Sequence, residues 1–177
     1  QIPFPQGYLV KSFELIRNVG GICIADEVQV GFGRTGSHMW AFEEHGVTPD
    51  IVVMGKPIGN GHPMAAVFTT KEIAASFEGM EFFSTFGGNP VSCAIGMAVL
   101  DVIEDDNLIE NSKLMGELFI DGLTKLKERY KIIGDVRGKG LFLGIELVKD
   151  HSSLEPATKE AELLVKGMLS KNILLSI

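Results

Sequence analysis

The chain is poor in the residues that would tie it to a metal, a membrane or a nucleic acid. It has two cysteines among 177 residues, Cys23 and Cys93, with no metal-ligand spacing around either. Both lie in apolar segments and read as buried free thiols in a reducing compartment. Positive charge is in deficit: 16 Lys and Arg stand against 23 Asp and Glu, for a formal net charge of -7. No basic run offsets that balance, which argues against nonspecific nucleic-acid binding. No apolar stretch is long enough to span a membrane, so no membrane partner is expected either. The expected setting is intracellular and cytoplasmic, with a mitochondrial one left open. An initiator methionine is also lacking: the chain starts at Gln1 and stops at Ile173-Leu174-Leu175-Ser176-Ile177, which reads as an unfinished strand. The expectation is a piece of a longer protein.

What is present suffices for a core, since 45% of the residues are hydrophobic. Leu9, Phe13 and Ile16 recur at helical spacing from Tyr8 to Val19, and Gly20-Gly21 stops that helix. Ile22-Cys23-Ile24-Ala25 reads as a buried strand running straight into Asp26-Glu27, two carboxylates that are costly there without a task or a partner. Ser37 to His45 reads as a short helix with Trp40 and Phe42 packing. Pro49-Asp50 opens the apolar run Ile51-Val52-Val53-Met54, a second buried strand closed by Gly55. After a tight turn, Met64 to Phe68 resumes as a strand, and a helix follows from Lys71 to Phe77 with Thr69 and Glu72 at capping-box spacing. Asn89 and Pro90 suit the N-cap and first residue of the helix Val91 to Ile103. Asp105-Asp106 leads into a helix from Asn107 to Tyr130, with Leu108, Met115, Leu118, Phe119 and Leu126 as its apolar stripe. Ile132–Gly140 and Leu141–Val148 read as two strands joined by a glycine turn. A last amphipathic helix spans Thr158 to Lys171, and a strand begins at Ile173. Alternating strands and helices followed by this pair make the fold class α/β, a large domain leading into a small α+β domain. The boundary falls within the 107–130 helix, giving units 1–115 and 116–177.

The polar loops at the strand ends carry the chemistry. Gly31-Phe32-Gly33-Arg34-Thr35-Gly36 formally matches the dinucleotide fingerprint GxGxxG. Asp26 and Glu27 immediately upstream would oppose a pyrophosphate, and the acidic residue expected about twenty positions later is not evident, so a nucleotide fold is rejected. Lys56 instead stands at the carboxyl end of a buried strand, where open α/β sheets bind ligands. An amine there can form a Schiff base. Around it the chain offers a carboxylate (Asp26), an amide (Gln29), a glycine-loop hydroxyl (Thr85) and a guanidinium (Arg137). Taken alone, Thr85 reads as a turn hydroxyl bonded to its own backbone. Together the set suits pyridoxal phosphate: a lysine for the aldehyde, an aspartate to keep the ring nitrogen protonated, and an arginine to hold a substrate carboxylate through two parallel bonds.

The motifs Ile24-Ala25-Asp26-Glu27-Val28-Gln29, Gly31–Gly36, Gly55-Lys56, Thr85-Phe86-Gly87-Gly88-Asn89-Pro90 and Val136-Arg137-Gly138-Lys139-Gly140-Leu141 resemble, in order, those of class III aminotransferases, fold-type I pyridoxal 5'-phosphate enzymes. The resemblance covers nearly the whole chain. It implies that Lys56 carries the cofactor as a Schiff base and moves the α-proton, that Asp26 pairs with the pyridinium nitrogen, that Val28 packs on the ring and that Gln29 reaches the ring hydroxyl. It also implies that Thr85 binds the phosphate of the neighbouring subunit in a homodimer with shared sites, and that Arg137 holds the substrate carboxylate. The family's N-terminal part, with its phosphate-cradling loop, is expected to be missing, as is the C-terminal end. Gly59-Asn60-Gly61-His62-Pro63 resembles the alanine–glyoxylate aminotransferase 2-like branch, whose phospho-lyases act on phosphoethanolamine or phosphohydroxylysine. His62 faces either a substrate phosphate or a partner within its own turn, and Arg34 reads as a member of a structural ion pair. The first expected function is transamination from an amino acid or amine to a 2-oxo acid; the alternatives are a phospho-lyase and a non-catalytic relative.

Overall fold

A computed structural model describes residues 1–177. The chain runs α1 (Tyr8–Asn18), β1 (Ile24–Asp26), β2 (Ile51–Met54), β3 (Ala66–Thr69), α2 (Lys71–Ser76), α3 (Pro90–Asp105), α4 (Leu108–Arg129), β4 (Ile133–Lys139), β5 (Phe142–Leu147) and α5 (Thr158–Leu169). Short 3-10 turns at Ala41–His45 and Lys56–Gly59 flank β2.

Two sheets result. In the first, β2 is central: β1 pairs with it in parallel, Asp26 opposite Val53, and β3 pairs on the other side in antiparallel register, Met54 opposite Ala66. The parallel pair sends the chain into two loops at one sheet edge, so Asp26 and the Gly55-Lys56 turn emerge side by side. Backbone bonding continues past the strand, with the Glu27 N–H donating to the Val53 carbonyl at 2.9 Å. The second sheet is the antiparallel pair β4–β5, with Arg137 opposite Gly144 and Asp135 opposite Glu146. No helix is long and apolar enough to cross a membrane.

The helix α4 joins the two parts through small residues. It buries Ser112 and Gly116. A Cβ on Gly116 would lie 2.2 Å from the Gly140 carbonyl oxygen, and one on Gly36 would lie 2.6 Å from the Lys113 Cα. The expected stripe of Met115, Leu118, Phe119 and Leu126 is therefore not the packed face; all four are exposed. Backbone approach at this distance requires small side chains on the inner face, and the bulky residues lie elsewhere on the helix.

Four other expectations are corrected. Cys23 is buried but Cys93 is exposed on α3, whose one buried residue is Gly96. The N-cap of α2 is Thr70, whose hydroxyl accepts from the Ile73 N–H at 3.3 Å; Thr69 ends β3 and donates its hydroxyl to the Asp50 carbonyl at 3.0 Å. Only Ala41–His45 of the 37–45 segment is helical, as a 3-10 turn. Residues 173–177 form no strand.

Candidate active site

Lys56 follows Gly55 at the end of β2, and its backbone is left-handed, with φ 38°. Such a conformation is unfavourable for a side chain with a Cβ and clusters at functional positions. Its ammonium donates to Gln29 Oε1 at 2.6 Å. Gln29 lies three residues past Asp26, so the bond links the loops that leave β1 and β2. Val28 lies between them and packs on Gly55, where a Cβ would sit in ordinary contact with Val28 Cγ1 at 3.4 Å. The Asp26 carboxylate accepts from the Val28 N–H at 3.0 Å, a local bond that turns the chain and leaves its other oxygen free. Lys56, Asp26 and Gln29 are all exposed, and Val28 is half-buried. The structure thus brings four of the six expected residues together on one edge of one sheet.

The partner of Asp26 in sequence has a different task. Glu27 is buried, 2% exposed. Its two carboxylate oxygens accept the N–H groups of Ala41 (2.9 Å) and Phe42 (3.0 Å), which start the 3-10 turn. Burial pushes its pKa up, against the lowering pull of those two N–H groups. One of the two costly carboxylates is therefore a structural clamp on the loop that carries Val28 and Gln29. The sequence offers a faint signal for it, an acidic residue after a buried strand with nothing nearby to pair.

The Gly31–Gly36 loop leads into no α-helix. It is a packing joint. A Cβ on Gly33 would meet Ile109 Cγ1 at 2.5 Å, and one on Gly140 would meet the Thr35 carbonyl carbon at 2.4 Å. The Leu141 N–H donates to the Arg34 carbonyl at 2.9 Å, and Lys139 pairs with Glu44 across the same seam. The Arg34 guanidinium is exposed and makes no ion pair, contrary to expectation; its backbone, not its charge, holds the joint.

Thr85 and Arg137 stand apart from the lysine, with no hydrogen bond to it or to its neighbours. Thr85 lies in the exposed loop before α3. The hydroxyl bonded within this loop is that of Ser84, which accepts from the Gly87 N–H at 3.0 Å, so Thr85 is not the turn hydroxyl. Arg137 sits on β4. Its Nη1 donates to Asp135 (2.9 Å) and Glu146 (2.6 Å), and its Nε donates to the Gln1 carbonyl at 2.8 Å. The two carboxylates raise the guanidinium pKa, Asp135 first, and the arginine in turn lowers that of Asp135. Nη2 has no partner within the chain. The His62 ring is not bonded within its own turn; its Nε2 lies 2.8 Å from Ser92 Oγ, on the first turn of α3.

The family model for aminotransferase class-III matches residues 1–174 of this chain. The human mitochondrial alanine–glyoxylate aminotransferase 2 is 56% identical over 160 residues, which cover 90% of this chain and 31% of that protein. An Arthrobacter phospholyase, solved in complex with phosphoethanolamine, superposes with a TM-score of 0.93 at 41% identity over 99% of this chain and 42% of its own. The taurine:2-oxoglutarate aminotransferase of Bifidobacterium kashiwanohense, in complex with PLP and glutamate, gives 0.91 at 26% identity over 99% of this chain and 41% of its own. The chain spans about a third of the length of the curated relatives it matches.

Proposed function

The chain belongs to the class III aminotransferases, and from that premise we propose that it contributes the lysine side of a pyridoxal-phosphate site that moves an amino group from an amino acid or amine to a 2-oxo acid. The observation that carries the reading is the Lys56–Gln29 contact of 2.6 Å beside Asp26, at the ends of two parallel-paired strands. The donor set fits the group: an amine for its aldehyde, a carboxylate with a free oxygen for its ring nitrogen, an amide for its ring hydroxyl and the Val28 methyls for its face. When bound, pyridoxal phosphate supplies an electron sink for the bond broken at the substrate's α-carbon.

The chain's own residues do the rest. Lys56 accepts and returns the proton at the α-carbon, and its strained backbone aims the amine off the sheet edge. Asp26 keeps a proton on the ring nitrogen. Gln29 takes up the ammonium of Lys56 when that amine is free and turns to the ring hydroxyl otherwise. Arg137 holds the substrate carboxylate through Nη2, the one guanidinium nitrogen left open and not the two that parallel bonds would use, with Asp135 and Glu146 fixing the plane of its guanidinium. Thr85 serves the phosphate of a second subunit. The homodimer reading is supported by the apolar surroundings of that residue: Phe82, Phe83 and Phe86 are 72%, 84% and 80% exposed. The division into a large and a small domain is placed at residues 115 and 116, inside α4. The setting is the interior of the cell, cytoplasmic or, like the human relative by its name, mitochondrial.

Replacing Lys56 with alanine in the complete protein tests the core of the proposal. Activity falls by at least about a thousandfold, the scale on which a covalent and proton-moving residue contributes. Borohydride treatment of the wild type with cofactor labels Lys56 and no other lysine. Survival of activity in the alanine variant would place the chemistry elsewhere and overturn the mechanism. A second reading has its own support in the phospholyase superposition: elimination of phosphate from a phosphorylated amine such as phosphoethanolamine or phosphohydroxylysine. Phosphate release from phosphoethanolamine without any 2-oxo acid would decide for it.

A further inference from the structure

The Lys56 turn holds two non-glycine residues in the left-handed region, with φ 38° at Lys56 and 42° at Asn60. Conformations of this kind persist only where the surroundings over-determine them. The turn's backbone bonds are all internal: Ile58 to Gly55 (3.1 Å), Asn60 to Pro57 (3.0 Å) and His62 to Gly59 (2.9 Å). They shape the turn but anchor it to nothing. Its outer anchorage is the side of α3. There Met64 lies over Gly96, where a Cβ would come within 3.0 Å of Met64 Cε. Apolar contact of this sort holds without direction. Between residues 57 and 63 the one hydrogen bond to another element is that of the His62 ring with Ser92 Oγ, at 2.8 Å.

On the far side of Ser92 the bonding continues. Asn89 Nδ2 donates to Ser92 Oγ at 2.9 Å and to the Phe86 carbonyl at 2.7 Å. The amide orientation follows from the cap itself, since Asn89 Oδ1 accepts the Ser92 N–H at 2.9 Å. All three side chains of the series are half-buried. The series His62–Ser92–Asn89 therefore starts six residues after Lys56 and ends on the carbonyl next to Thr85. Thr85 itself makes no hydrogen bond, so the placement of its loop depends on this carbonyl and on the Ser84 turn.

We propose that His62 is a positioning residue which, through Ser92 and Asn89, fastens the turn carrying Lys56 to the loop carrying Thr85, so that the two are held as one unit. The inference rests on the cofactor roles proposed above for those two residues. In a dimer whose Thr85 loop serves the partner's phosphate, this unit ties the lysine of one site to the phosphate contact of the other.

The test compares wild type, His62→Ala, Ser92→Ala, the double variant and His62→Gln in the complete protein. Hydrogen exchange of segments 56–63 and 84–89 is followed without cofactor, and the dissociation rate of pyridoxal phosphate is measured separately. His62→Ala speeds exchange in both segments by about fivefold, the effect of one lost hydrogen bond, and Ser92→Ala, which also loses the bond from Asn89 Nδ2, speeds it at least as much. The double variant is no faster than Ser92→Ala, and His62→Gln, which keeps a side-chain amide nitrogen near the ring-nitrogen position, restores the wild-type rates. Cofactor release accelerates in the same order. Additive effects in the double variant, or loosening of the mutated segment alone, would overturn the proposal. Ser92→Ala removes only a hydroxyl and keeps the test alive should His62→Ala fail to fold. The two levels separate cleanly: absence of a borohydride label on wild-type Lys56 sinks the cofactor reading, whereas uncoupled exchange in a protein that does label sinks the relay.

Discussion

Asp50 carries more of the fold than a half-buried turn residue usually does. One carboxylate oxygen accepts the Cys23 N–H at 2.8 Å and the other accepts Arg17 at 3.0 Å, while its own N–H donates to the Cys23 carbonyl at 2.8 Å. The end of α1 and the starts of β1 and β2 thus meet on one side chain. The Cys23 N–H, then the Arg17 guanidinium, hold its pKa below the ordinary carboxylate value. A depressed folded pKa adds stability that is fully present above the unfolded value, about pH 4, and is lost as pH falls through the folded one. Asp50→Asn should therefore lower the melting temperature at pH 7 and flatten its decline below about pH 4 relative to wild type; parallel acid limbs in the two proteins would count against this account. At this scale the sequence told much about Lys56, Asp26 and Gln29, because their types and strand-end positions follow from local pattern. It gave only a faint signal for Glu27 and was misleading on Thr69, since which hydroxyl or carboxylate meets a helix start depends on a residue-level register that spacing does not fix.

Among the elements, α4 and the Gly31–Gly36 loop decide how the two sheets are joined. Gly140 has φ 51° and a backbone carbon 2.4 Å from the position of a Cβ, so no flexible side chain can yield to make room. Gly140→Ala should cost about 2–4 kcal/mol, the sum of a left-handed alanine and a backbone clash. Gly122, within the same helix α4, has nothing within 4 Å of its Cβ position. Gly122→Ala should instead stabilise by about 0.5–1 kcal/mol, because an open helical glycine only adds backbone entropy to the unfolded chain. Urea denaturation of the pair checks both signs, and equal effects would refute the packing argument. Periodicity located every helix and every strand up to β5. It chose the wrong face of α4, because a pattern of large apolar residues does not distinguish a face packed here from one turned outward, and Ser112 and Gly116 look featureless until a second backbone is laid on them.

Across the whole molecule, the buried hydrophobic residues number six: Cys23, Met54, Ile58, Ile133, Val148 and Ala157. Exposed apolar residues far outnumber them, among them Phe82, Phe83, Phe119, Leu118 and Leu174. A core this small cannot offset the conformational entropy of so long a chain. Residues 1–177 expressed alone should bind a fluorescent apolar dye strongly and self-associate as concentration rises, both followed by sedimentation and fluorescence. A dye-silent monomer would show that the exposed surface needs no cover. This part of the behaviour was hidden from composition, since a 45% hydrophobic content says how much apolar surface exists and not how much of it these residues cover among themselves. The exposed segment between α2 and α3 has one more consequence. Phe82 and Phe83 stand in irregular backbone, which presents chymotrypsin with an open bond at a point that severs the piece bearing Lys56 from the piece bearing Arg137. Cutting there would leave two fragments clasped by Met64 on Gly96 and by His62 on Ser92, and the rate of the cut would serve as a gauge of subunit pairing, slowing as a second copy covers the loop.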